Sequence, residues 1–298
     1  MNRVLVIGNA TVDLILSVAE LPAPGETVLA DQAFRCPGGK GLNQALAASR
    51  LGVSTTLVAS IGDDQDGRFL DAALAGELLA VEWVASTHPT DLSIVSIAAS
   101  GENAIVSTAA SARSLAPESA EAAASTLGPG DVLLLQGNLG EATTHAAHRA
   151  ARAAGARTIF NTAPIAWDQR ELASQVDIVV ANAGEVERLT SLRNEAAALR
   201  LIEAGAGTVI VTRGAYHAIL ADRSGVRLFP IGPVGVVDTS GAGDVTVGIL
   251  AAGLVCGLAI DKALDVALTA ASLSVTRHGT SASFPTAAEL SQLLLGTG

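Results

Sequence analysis

The run Asp238-Thr239-Ser240-Gly241-Ala242-Gly243-Asp244 sets a carboxylate directly behind two glycines and in front of an apolar, helix-period segment. Glycines leave backbone N–H groups uncovered at a helix N-terminus, where the partial positive charge also favours anions. A transferring phosphoryl group carries its charge on equatorial oxygens and needs such donors. Asp244 would then take the proton of an attacking hydroxyl as the bond to phosphorus forms. The plain alternative is a Gly-rich helix start with an ordinary first-turn carboxylate, and these residues alone do not separate the two.

Three other motifs have the same double character. Gly38-Gly39-Lys40-Gly41-Leu42-Asn43 opens an Ala-rich helix. Its glycines admit a ligand close to the backbone, and Asn43 can both donate to and accept from hydroxyls. Lys40 does not make a Walker A loop, because the Gly-x-x-x-x-Gly-Lys-Ser/Thr spacing is absent. Gly8-Asn9-Ala10-Thr11-Val12-Asp13 follows the first apolar run, and Asp13 could accept bonds from two sugar hydroxyls or could simply close a turn. Asn182-Ala183-Gly184-Glu185 reads either as a site for water-held Mg²⁺ or as a capping box. The five histidines show no metal spacing.

The elements around these motifs alternate. Val4–Ile7, Thr55–Ala59, Val132–Leu135, Thr158–Phe160, Ile178–Val180 and Val209–Val211 read as buried strands. Between them lie helix-period segments at Leu42–Arg50, Phe69–Leu79, Pro117–Thr126, Glu141–Ala154, Glu185–Leu189 and Glu195–Glu203. The alternation predicts a parallel sheet covered by helices on both faces, with ligands at the carboxyl ends of the strands. Two segments break the pattern. Leu14–Val18 with Thr27–Phe34, and Leu92–Ala99 with Ala104–Ser107, have hairpin character and could form a strand-built lid. From Ala242 onward the chain reads as helix.

Composition narrows the function classes. A formal charge of -11 over 298 residues argues against nucleic-acid or anionic-membrane surfaces, which need basic patches. An anionic substrate must therefore be held by backbone N–H groups and cations. Apolar residues at 49% allow a large core, and aromatics at 3% require that it be built from Ala, Val, Leu and Ile. Cys36 and Cys256 are too few for a disulfide framework or zinc site, and no signal-like segment precedes Asp13, so the expectation is a cytoplasmic protein.

Taken together, in this order and spacing, the motifs resemble the PfkB/ribokinase family of carbohydrate kinases. The resemblance spans the chain and also includes Pro24-Gly25-Glu26-Thr27, Asn43-Gln44-Ala45, Ile61-Gly62-Asp63-Asp64 and Val275-Thr276-Arg277. It implies a single α/β kinase domain over 1–298: a Rossmann-like three-layer α/β/α core with a small β-sheet lid from segments near 12–38 and 91–109. It implies ATP-dependent phosphorylation of a sugar hydroxymethyl group, with D-ribose as first candidate. The alternatives are another sugar or a nucleoside, or a non-catalytic sugar-binding protein on the same fold.

By the same resemblance, Asp244 is the base, and the backbone of Gly241, Ala242 and Gly243 is the anion hole. Thr11, Asp13, Gly39, Lys40, Gly41, Asn43 and Asn138 match the sugar site. Asn182, the segment Thr212, Arg213, Gly214, Ala215, Tyr216 and His217, and Gly243 match the nucleotide site. Glu185 matches a Mg²⁺-associated position. Asp238, Ser240, Ser274, Arg277, Gly279 and Ser283 match a loop pair that holds a monovalent cation, usually K⁺. A homodimer joined through the lid is implied as well. Three positions depart from the family pattern: Thr11 replaces Asn, Asn138 replaces a sugar-contacting Glu, and Leu268 replaces a His beside the adenine. The first two bear on which sugar is read.

Overall fold

Val4 and Val6 enter one core while Leu5 and Ile7 enter another, because successive strand side chains point to opposite faces. A strand apolar at every position must be covered on both sides, and that requirement organises the fold. The computed structural model describes residues 2–296.

In chain order the strands are β1 (Val4–Ile7), β2 (Thr11–Val18), β3 (Ala30–Gly38), β4 (Thr55–Gly62), β5 (Ala80–Ser86), β6 (Leu92–Ala98), β7 (Asn103–Ser107), β8 (Val132–Gln136), β9 (Arg157–Asn161), β10 (Ile178–Asn182), β11 (Thr208–Arg213), β12 (Tyr216–Asp222) and β13 (Gly225–Phe229). The helices are α1 (Lys40–Arg50), α2 (Gln65–Leu74), α3 (Ala110–Arg113), α4 (Pro117–Ala124), α5 (Glu141–Ala153), α6 (Arg170–Ala173), α7 (Ala183–Thr190), α8 (Asn194–Ala204), α9 (Ala242–Val255), α10 (Ile260–Ser274) and α11 (Ala287–Gly296).

The main sheet has nine strands in the order β13-β12-β11-β10-β9-β8-β1-β4-β5. It is parallel from β11 to β5, and β12 and β13 add antiparallel at one edge. Leu42 of α1, Leu70 of α2, Val245 of α9 and Leu264 of α10 belong to the core on one face. Ala120 of α4, Ala147 of α5, Val186 of α7 and Leu201 of α8 belong to the core on the other. A second sheet, in the order β3-β2-β6-β7, stands apart from the first. The α/β/α layering expected from the sequence is the architecture observed.

Some elements differ from their sequence reading. The helix read at Phe69–Leu79 forms at Gln65–Leu74, where Asp64 caps it by accepting from Gly67 N–H at 2.7 Å. The chain from Ala80 becomes edge strand β5 instead. The antiparallel pair β12–β13 was not legible as strands. Among the described residues no helix is long and apolar enough to cross a membrane.

Two close approaches shape the functional end. α1 reaches the end of β1 because Gly41 carries no side chain: a Cβ there would lie 2.6 Å from Asn9 N. α9 lies against α1 because a Cβ on Gly248 would run into the Gln44 carbonyl oxygen and sit 2.8 Å from Ala47 Cβ. Gly248 lies one turn beyond Asp244, so this crossing brings Asp244 to the start of α1.

Candidate active site

Asp244 lies in the first turn of α9, with Gly241 as the N-cap at φ 77°. Only glycine adopts that left-handed cap freely, and a Cβ would stand 2.7 Å from Phe284 Cε1. The N–H groups of Gly243 and Asp244 lie in the turn where helix geometry leaves donors without intrahelical acceptors. The carboxylate is 5% exposed, and its partners come from α1. Oδ2 accepts from Asn43 Nδ2 at 3.2 Å, and Oδ1 accepts from Gln44 Nε2 at 3.0 Å. Lys40 Nζ lies 3.8 Å from Oδ1. A carboxylate fixed in this way can accept the proton of a hydroxyl placed beside it.

The second sheet brings a second buried carboxylate, Asp13 of β2, within electrostatic reach of Asp244. Thr11 Oγ1 donates to Asp13 Oδ1 at 2.6 Å, and Ser93 of β6 donates to Thr11 Oγ1 at 3.4 Å. Burial pushes the Asp13 carboxyl above its ordinary value, the bonds from Thr11 and Ser93 pull it back, and the charge of Asp244 adds to the rise. Gly38 is required here, because a Cβ would collide with the Asp13 carboxylate. Gly39, at φ 96°, caps α1. Asn138 follows β8, the strand beside β1, so it sits on the same sheet edge; its Oδ1 is buried without a partner. Cys36 pairs in register with Asp13. Burial, with Asp13 adding to it, pushes the Cys36 thiol up to about 11, so it is a neutral thiol and not a nucleophile at neutral pH.

A cleft of about 610 Å³ opens on the other side of the α9 N-terminus. Four residues expected on the nucleotide side line it: Thr212, Gly214, Ala215 and Gly243. Asn182, Arg213, Tyr216 and His217 are not among its walls. Arg213 instead bonds His217 Nε2 at 2.8 Å and lies 5.8 Å over the Tyr216 ring. The remaining walls are mostly apolar and, apart from Leu268 and Ala242, escaped the sequence reading. One comes from the loop bearing Ile231, Pro233, Val234 and Val236, the other from Leu268, Ala271, Ser272 and Val275 of α10 and its cap. The second group is spaced i, i+3, i+4, i+7, a one-face helical signal that could have revealed it.

Glu185 and Asn182 form a full capping box at the start of α7. Asn182 Oδ1 accepts from Glu185 N–H at 2.9 Å, and Glu185 Oε2 accepts from Asn182 N–H at 2.9 Å. Asn182 Nδ2 donates to Glu185 Oε1 at 2.7 Å, and Thr162 Oγ1 donates to Oε2 at 3.0 Å. With both oxygens engaged, this carboxylate suits a hydrated ion better than direct chelation. Among the described residues no group of three or more acidic, His or Cys side chains is placed to chelate a metal.

Asp238 ties the α9 loop to the turn after α10. Its Oδ1 accepts from Ser240 N–H at 2.8 Å and its Oδ2 from Gly279 N–H at 2.9 Å. Ser240 Oγ is buried without a partner, which leaves an oxygen donor of the kind a monovalent cation takes. Ser274 and Ser283 donate to the backbone oxygens of Ala271 and Thr280. The Arg277 guanidinium pairs with Glu289, so only its backbone can serve the loop pair.

The chain's resemblances agree with this geometry. The model of the pfkB family of carbohydrate kinases matches residues 1–287. A ribokinase of Bacillus subtilis is 31% identical, covering 99% of this chain and all of its own. A deoxyribokinase of Salmonella typhi is 32% identical, covering 98% of each chain. The structure of Arabidopsis thaliana ribokinase complexed with ribose and ATP superposes with a TM-score of 0.84 at 26% identity, covering 99% of both chains. A family match that runs from residue 1 to residue 287 makes this chain a member of the pfkB family of carbohydrate kinases.

Proposed function

We propose that the protein transfers the terminal phosphoryl group of ATP to the hydroxymethyl oxygen of D-ribose, giving ribose 5-phosphate and ADP. The observation that carries the reading is the place of Asp244, between the polar cup of β2 and α1 and the cleft that ends at Gly243. The acceptor hydroxyl gives its proton to Asp244 as its oxygen bonds to the γ-phosphorus, and the bond from that phosphorus to the bridging oxygen of ADP breaks. The backbone of Gly241, Ala242 and Gly243 steadies the charge on the transferring group. Asp13, Asn43, Lys40 and the Gly39–Gly41 backbone orient the sugar, and Asn138 reaches it from β8. Thr212, Gly214 and Ala215 flank the nucleotide.

Glu185 would hold, through water, a Mg²⁺ ion that would neutralise the phosphate charge of ATP. A monovalent cation, K⁺ by preference, would sit between the Asp238–Ser240 loop and the Ser274–Ser283 turn and brace the start of α9. The second sheet closes over the sugar and excludes water, since an open site would hydrolyse ATP. Its exposed Phe34, Ile94, Ile105 and Val106 support a homodimer joined through this sheet. The cytoplasm, where ATP is available and Cys36 and Cys256 stay reduced, is the working compartment.

A second acceptor, 2-deoxyribose, is supported by the likeness to a deoxyribokinase, which matches this chain as well as the ribokinases do. Thr11 spends its proton on Asp13, and Asn138 stands where the family carries an acid, so the cup reads ring hydroxyls differently from the family pattern. A coupled ADP-release assay across ribose, 2-deoxyribose, fructose, other pentoses and nucleosides decides. The highest kcat/KM is expected with ribose. ADP release with nucleosides alone would overturn the sugar reading. A sugar-dependent rise in melting temperature without ADP release would mark a binding protein.

A further inference from the structure

We infer that Gln44 is a positioning residue for the base: its side-chain amide fixes one oxygen of Asp244, and a buried carboxamide relay from Gln136 and Asn161 fixes Gln44. The inference rests on the reading of Asp244 as proton acceptor and deepens it.

Gln44 is fully buried on α1. Its Nε2 donates to Asp244 Oδ1 at 3.0 Å and to Asn161 Oδ1 at 3.1 Å, and its Oε1 accepts from Gln136 Nε2 at 2.8 Å. The direction of this chain is determined from its far end. Asn161 Nδ2 donates to the Val180 carbonyl at 3.0 Å, and a carbonyl oxygen only accepts. The oxygen end of Asn161 must therefore face Gln44, which must present its amino end there. That same amino end reaches the carboxylate, and the oxygen of Gln44 is left to Gln136.

Gln136 and Asn161 are register partners at the ends of β8 and β9, and Val180 lies in β10 beside them. Three neighbouring parallel strands thus set the orientation of one amide, and the amide sets the base. A Cβ on Gly8 would collide with Gln136 Oε1, so the glycine after β1 leaves room for the relay.

The relay assigns the two oxygens of Asp244 different tasks. Oδ1 takes the Gln44 amide and faces Lys40 at 3.8 Å. Oδ2 takes the longer Asn43 bond at 3.2 Å and keeps a lone pair for the acceptor hydroxyl. Releasing Oδ1 lets the carboxylate turn about its Cβ–Cγ bond, and a misplacement of about 1 Å costs on the order of 10²-fold in rate.

The test is ADP release at saturating ATP and sugar by wild type, Gln44→Met, Gln44→Glu, Asp244→Asn and the Gln44→Met/Asp244→Asn double variant. Gln44→Met is expected to lower kcat by roughly 10- to 10²-fold while KM for both substrates stays within about 3-fold. Its effect should vanish in the Asp244→Asn background, because residues that act as a unit are not additive. Gln44→Glu should work best at acid pH, where the protonated carboxyl replaces the amide as donor, and fade as pH rises and like charges meet. A purely structural Gln44 would lower the melting temperature and leave kcat per folded enzyme and the pH profile unchanged. That result, or an equal loss in the Asp244→Asn background, overturns the inference. Should Gln44→Met fail to fold, Gln136→Met reads the same relay: kcat falls at unchanged KM, and an unaltered kcat overturns the inference. Active wild type with normal Gln44 variants sinks this inference alone, a normal Asp244→Asn also sinks the assignment of Asp244 as the base, and an inactive wild type sinks the kinase reading.

Discussion

Asn43 Nδ2 donates to Asp244 Oδ2 across 3.2 Å, joining residues 201 positions apart in the chain. The first turns of α1 and α9 therefore meet at one carboxylate. α1 follows Gly39 directly after β3, and α9 follows the loop that borders the apolar cleft. A sugar held by the first turn and a nucleotide held beside the second would have their reacting ends at the same oxygen, which converts a bimolecular step into a positioned one.

Gly241→Ala tests the turn behind that carboxylate. It forces φ 77° on a residue with a Cβ and drives that Cβ to 2.7 Å from the Phe284 ring. A cost of about 1–3 kcal/mol is expected. The variant should melt several degrees lower and lose kcat at least 10-fold, with sugar KM changed less. An unchanged kcat would show that the turn does not place the base.

Ser240 tests the cation loop. With Ser240 Oγ buried and unpartnered beside the Asp238 bridge, activity should rise when K⁺ replaces tetramethylammonium. Ser240→Ala should shrink that rise without abolishing turnover. Equal rates of the wild type in both salts would remove the site.

His148 sets an acid limit on stability. Its ring is 2% exposed and bonds Thr158 Oγ1 at 3.3 Å. Burial, helped by Arg152, lowers its pKa to about 4. The unfolded chain titrates near 6.5, so between these values it binds a proton that the native protein refuses. Stability present above about pH 6.5 is therefore lost as pH falls toward 4, by ~3 kcal/mol at most. Urea midpoints measured from pH 7 to pH 4 should fall less in His148→Gln than in wild type; parallel curves would contradict this.

The exposed face of the second sheet gives a size prediction. Val106 is 73% exposed, and its register partner Ile94 on the same face is 39% exposed. Light scattering after gel filtration should give twice the 29.8 kDa chain mass for wild type, and Val106→Glu should shift it toward monomer. A monomeric wild type would refute the dimer.

What the sequence disclosed follows from how each element is buried. β1, β8 and β10 are covered on both faces and appear as unbroken apolar runs. β5 does not, because as an edge strand it exposes Ala80 and Glu82 and follows directly on a helical pattern. β12 and β13 close a hairpin whose apolar positions resemble a helix segment at that length. The glycine-backed Asp244 and the α1 motif were legible because both are contiguous. The amide chain through Gln136 and Asn161 was not, since each member lies in a separate strand or helix and only the parallel packing brings them together.

The decisive measurement is ADP release by wild type and Asp244→Asn with ribose, beside ribose affinity by calorimetry. Asp244→Asn should bind ribose within a few-fold of wild type and turn over at least about 10²-fold more slowly, since only the proton acceptor is lost. Near-normal turnover by Asp244→Asn would contradict the assignment of Asp244 as the base on which the catalytic reading stands.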